Sequence, residues 1–138
     1  MPGGFENPVQ GYLAFGAVKL AGYSLAAWRL NRGYPETGAN FVVVGLTRTV
    51  IGMALGSVLG LLALPWVLVG GLGVIVYYLG LIPVRLLEWW IIILLFYDRG
   101  AETKPKDWRY AGFGTAWSYA LDIPALIGFF VTGGLWIC

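Results

Sequence analysis

A chain of 138 residues that is 59% hydrophobic and 12% charged, with a mean hydropathy of +0.75, is not composed like a soluble domain, where about 25% of residues carry charge. Lipid must solvate much of it. A single cysteine excludes an intrachain disulfide, the lack of histidine removes the commonest ligand of zinc and haem, and no metal or cofactor is expected.

Four apolar segments follow one another, at 9–28, 39–64, 74–97 and 111–137, each reaching the roughly 20 residues a helix needs to cross about 30 Å of hydrocarbon. None alternates like a strand, and lipid offers no partner to an unpaired backbone group, so each segment is expected to be helical. The expected fold is all-α and integral to the membrane: a four-transmembrane-helix bundle with short loops, forming a single domain over 1–138.

The first segment follows "MPGGFENPVQ", which has no basic start, and Lys19 interrupts what would be the apolar core of a secretory signal. It is read as a retained span. It gives way to "RLNRGYPETGAN", where Gly33, Pro35 and Gly38 break the helix. The second segment contains "LTRTVIGMALGSVLG", which spaces Arg48, Gly52, Gly56 and Gly60 by four. Small residues at that spacing let two helices approach closely and suit a right-handed crossing, the partner being either internal or another copy.

The second segment ends in "LALPWVLVGGLG", an apolar connection expected at the membrane surface. In the third, Gly70, Gly71 and Gly73 predict a glycine-rich lead-in, followed by a helix bent near Pro83. It closes at "YDRGAETKPKDWRY", the one stretch of soluble composition, whose three acids favour a solvated loop over a contact with anionic lipid or a partner protein. The fourth carries Asp122 and, two residues later, Pro124, read as a tolerated kink; Cys138 is read as an unpaired terminal residue.

Loops 29–38 and 98–110 hold Arg29, Arg32, Arg99, Lys104, Lys106 and Arg109, whereas the opposite side holds no Lys or Arg. This asymmetry predicts that both loops are cytoplasmic and both termini outside. Trp28 and Trp108 would mark the cytoplasmic boundary, and Trp66 and Trp136 the outer one. The short loops suggest the plasma (inner) membrane of a prokaryote.

Lys19, Arg48, Arg85, Glu88 and Asp122 remain within the segments. Lys19, Arg48, Glu88 and Asp122 each lie about 9 to 12 residues from the cytoplasmic end of their helix, on the order of 15 Å deep. A charge facing lipid at a helix centre costs about 2.5–3.5 kcal/mol, so these groups are expected to face one another, with Arg85 one turn from Glu88. Tyr23 shares the face of Lys19, Ser118 that of Asp122, and Tyr77 that of Glu88. Three cations against two carboxylates form either a buried network that specifies helix packing, or a site for a small anion or lipid headgroup, or one in which Glu88 and Asp122 relay protons or bind a cation.

No nucleophile motif, metal cluster or nucleotide loop is present, and no nucleic acid is expected as a partner. The leading expectation is a noncatalytic subunit or assembly partner of a membrane complex, contacting lipids and either other subunits or copies of itself. The alternative is a small oligomeric transporter or channel that uses the charged layer. A third reading is an intramembrane enzyme acting on lipid, with Glu88 or Asp122 as acid or base; a guanidinium beside the carboxylate makes it a poor proton donor.

Overall fold

The computed structural model describes residues 8–67, 71–98 and 105–132. Four helices account for nearly all of them: α1 (Pro8–Asn31), α2 (Phe41–Val67), α3 (Gly71–Phe96) and α4 (Pro105–Thr132). Each packs on the next, and α4 closes back onto α1 across the thinnest of the four seams. Contacts of Tyr97 with Ala27 and Asn31, of Asn31 with Ala39, and of Tyr34 with Asp107 gather the ends of α1 and α3 and the starts of α2 and α4 at one pole. The helices therefore run alternately up and down.

Two helices contain stretches long and apolar enough to cross a membrane, Phe41–Ala63 in α2 and Ile75–Phe96 in α3. The other two have the length, at 24 and 28 residues, but not the apolarity. Gln10, Lys19 and Arg29 dilute α1, while Lys106, Asp107, Arg109 and Asp122 dilute α4.

Boundaries follow local chemistry. Asn40 caps α2, its side-chain oxygen accepting from the backbone N–H of Val42 at 2.9 Å and of Val43 at 3.3 Å. The turn before it uses Gly38 at a φ of +58°, a conformation that glycine tolerates without steric cost. The fourth helix begins at Pro105, six residues earlier than hydropathy places it, so 105–110 are helical rather than loop. Proline suits a first helical position because its missing N–H needs no partner there, and Asp107 complements the dipole in the first turn.

The third helix starts at Gly71, taking in Gly71 and Gly73 where a loop is expected, and continues through Pro83. Residues 68–70 and 99–104, the side chain of Trp66, and the tail with Trp136 and Cys138 lie outside the described residues. Trp28 and Trp108 are both exposed near the pole where the helix ends gather.

The core lies between the four helices in the half of the bundle toward this pole. Tyr23, Ala26, Ala27 and Leu30 from α1 meet Val44 from α2, Trp89, Ile92 and Ile93 from α3, and Ala111 from α4. Two glycines permit close approaches here: a Cβ at Gly45 would lie 2.7 Å from the backbone nitrogen of Ser24, and one at Gly114 would lie 2.3 Å from the Trp89 indole. Two threonine hydroxyls inside the helices are satisfied locally, that of Thr49 on the Gly45 carbonyl and that of Thr115 on the Ala111 carbonyl.

Candidate functional site

The five charged residues singled out within the apolar segments are all buried, Lys19, Arg48, Arg85, Glu88 and Asp122 being 6% exposed or less. Each comes from the inward face of its helix, and they meet at mid-height. Lys19 Nζ lies 3.0 Å from Asp122 Oδ1, Arg85 Nη2 holds the other oxygen, Asp122 Oδ2, and Arg48 Nη2 lies 2.6 Å from Glu88 Oε2. One carboxylate of α4 thus ties α1 to α3, and one of α3 holds α2. Although Arg85 and Glu88 are one turn apart, they take different partners.

Ser118 links the two groups of charges. Its Oγ accepts from Trp89 Nε1 at 2.9 Å, lies 3.4 Å from Arg48 Nη2, and donates to the Gly114 carbonyl at 2.9 Å. Aromatic rings lie against the two guanidinium groups. The Arg48 guanidinium carbon lies 4.8 Å from the Tyr23 ring centre and 5.3 Å from that of Trp89, and Arg85 lies 4.6 Å from Tyr119. Such faces stabilise a desolvated cation through the ring quadrupole.

Trp89 and Tyr119 are the members that hydropathy misses. For Trp89 a signal exists, because Arg85, Glu88, Trp89, Ile92 and Ile93 follow the i, i+3, i+4, i+7, i+8 pattern of one helical face. Tyr119 has no such signal: its hydroxyl is spent on the Tyr78 carbonyl at 2.6 Å, which depends on how α3 and α4 pack.

Not every guanidinium N–H finds an acceptor. Among the described residues, Arg48 Nε and Nη1 and Arg85 Nη1 are buried without a hydrogen-bond partner. Beside them, between α1, α2 and α3, is a cavity of about 20 Å³ lined by Lys19, Tyr23, Tyr77, Glu88 and both arginines, with Gly52 and Gly56 in its wall. That volume accommodates about one water molecule. The layer as a whole carries three positive charges against two negative.

The glycine stripe borders this cavity. At Gly52 a Cβ would meet only the Arg48 side chain of its own helix, and at Gly60 only the Tyr77 hydroxyl, at 3.7 Å. The tight approach of α2 to a neighbour within the fold falls earlier, where Gly45 meets Ser24.

A second polar cluster closes the pole where the helix ends gather. Tyr34 donates to Asp107, Tyr97 reaches the Asn31 side-chain oxygen at 2.7 Å, and Asn31 Nδ2 donates to the Ala39 carbonyl at 2.7 Å. Burial first, and then the hydrogen bond to Asp107, push the Tyr34 phenol far above the usual tyrosine range. Lys106 donates to the Gly33 carbonyl with its Nζ 4.0 Å from the Tyr34 ring centre.

Among the described residues, no group of three His, Cys, Asp or Glu side chains could hold a metal ion. Comparison of the chain with protein-family models, with curated protein sequences and with solved structures finds no match.

Proposed function

We propose that the chain is a four-span integral membrane protein, with both termini outside and its basic loops in the cytoplasm, acting as a noncatalytic subunit or assembly partner of a membrane complex. The observation that carries this reading is the closure of the charged layer on itself. Three ion pairs leave a cavity of only about 20 Å³, too small for an organic substrate.

Lys19 and Asp122 pair with each other across the two less apolar helices, which lowers the cost of placing α1 and α4 in lipid beside α2 and α3. Large apolar side chains such as Val50, Leu61, Leu72 and Leu87 project outward. The stripe of Gly52, Gly56 and Gly60 borders the cavity between α1, α2 and α3. Among the described residues a Cβ at Gly52 would meet only Arg48 of its own helix and one at Gly60 only the Tyr77 hydroxyl, so packing within the chain does not fill the space beside these two positions. Small residues spaced by four suit the close approach of a further transmembrane helix.

The test is the mass of the protein extracted in a mild detergent. An assembly heavier than the 15.0 kDa of a single chain, reduced by Gly60→Leu, is expected. A 15.0 kDa particle with no companion would overturn the reading.

A second reading is favoured by the unpaired N–H groups of Arg48 and Arg85 beside the cavity. With one cation in excess, the layer suits a small anion, and an oligomer of the chain would then conduct or transport it. Anion flux into liposomes that falls in Arg48→Ala and Glu88→Ala variants would establish this role. Unchanged flux in both would remove the layer from any transport mechanism.

A further inference from the structure

A pair of adjoining cavities runs along the α1–α4 seam, away from the charged layer. The first, about 310 Å³, is lined by Arg29, Lys106, Arg109, Tyr110 and Phe113. The second, about 240 Å³, shares Arg29 and Phe113 and continues along Leu25, Ala26, Trp28 and Trp117. We propose that this seam binds an anionic phospholipid, its phosphate against Arg29, Lys106 and Arg109 and one acyl chain in the groove between Leu25, Phe113 and Trp117.

The chemistry follows a gradient along both helices. On α4, residues 106, 109–110, 113 and 117 share one face, so successive turns of about 5.4 Å present cations, then a phenol, a phenyl ring and an indole. On α1, Arg29 stands one turn beyond Leu25 on the same face. The polarity of a phospholipid falls from headgroup to chain in the same order.

No acidic side chain lines either cavity, and no ion pair among the described residues involves Arg29, Lys106 or Arg109. Asp107, which stands between two of these cations in sequence, is buried on the Tyr34 hydroxyl instead. Trp117 has committed its indole N–H to the Gly22 carbonyl at 2.9 Å, so it gives the groove an apolar wall. Basic pockets between membrane helices at the cytoplasmic end are suited to anionic headgroups.

The inference rests on the four-span reading, and the measurements separate the two. Protein in a nonionic detergent is titrated with phosphatidylglycerol, phosphatidylcholine and, as a headgroup without chains, glycerol 1-phosphate, and bound lipid is counted by native mass spectrometry. Phosphatidylglycerol is expected to bind in preference to phosphatidylcholine. Because a cation near the membrane surface is worth about fivefold in affinity, Arg29→Gln with Arg109→Gln should weaken phosphatidylglycerol by roughly 25-fold and leave phosphatidylcholine unchanged.

Leu25→Trp, at an exposed position, fills the groove and should weaken the lipid without affecting glycerol 1-phosphate; this variant decides the matter alone if the double variant fails to fold. Equal binding of the two lipids, an unchanged affinity in the variants, or full competition by glycerol 1-phosphate at the lipid's own concentration would each overturn the proposal. If selectivity fails while the protein still sediments with membranes after alkaline extraction, only this inference falls.

Discussion

The charged layer at mid-height and the tyrosine cluster at the pole bind the same helices by different chemistry. In the layer, full charges meet at 3.0 Å or less, buried among aromatic rings, and several guanidinium N–H groups find no acceptor. At the pole, phenols and an amide close onto backbone carbonyls and a single carboxylate, beside exposed lysine and tryptophan. The layer therefore answers to charge balance, which no single contact measures. The cluster answers to individual hydrogen bonds, each of which can be removed at its own cost.

The largest effect should come from Asp122→Asn, which removes the carboxylate shared by Lys19 and Arg85 and raises the layer's excess from one positive charge to two. Breaking a buried pair costs about 3–5 kcal/mol, a large part of a typical folding stability. The expected result is loss of monodisperse protein, or a collapse of the melting temperature in detergent. Lys19→Met should do far less damage, because Arg85 still holds Asp122 and the layer becomes neutral. If the two variants proved equally harmful, charge balance would be the wrong description of this layer.

Gly45→Ala comes next, since its Cβ would press on Ser24 backbone atoms that cannot rotate away. Overpacking of this kind costs about 1–3 kcal/mol and should lower the melting temperature with no change in charge. At the pole, Tyr34→Phe removes a hydrogen bond to a carboxylate, a contact worth roughly 1.5–3 kcal/mol.

The same variant has a pH signature. Because the folded phenol is held above its unfolded pKa of about 10, the unfolded chain loses its proton first, and stability falls as pH rises past 10. That contribution to the alkaline slope should be absent from Tyr34→Phe. An identical slope in both proteins would mean that Tyr34 is not held protonated by the fold.

These contrasts explain what was legible in the sequence. The charges in the apolar segments stood out because each violates its surroundings, and the depth of Lys19, Arg48, Glu88 and Asp122 follows from counting residues along a helix. Their pairing was not legible, because Arg85 and Glu88, neighbours on one face, turn to partners on different helices. The four helices could be read from hydropathy, while the start of α4 was obscured by its own polarity. Lys106, Asp107 and Arg109 resemble a loop until Asp107 is seen closing onto Tyr34 across 73 residues. Nothing local in "GYPETG" announces that contact.

The smallest effect is expected at Gly60, where neither kind of link operates. A Cβ there would meet the Tyr77 hydroxyl at 3.7 Å, an ordinary contact, so Gly60→Ala introduces no clash within the chain. Alanine improves on glycine in a helix interior by up to about 1 kcal/mol, so the melting temperature should hold or rise slightly. If the glycine stripe is where a further helix docks, the same methyl group occupies that interface, and association should weaken while the single chain becomes no less stable. A loss of stability in Gly60→Ala would instead mean that the stripe serves packing within this chain, as Gly45 does against Ser24.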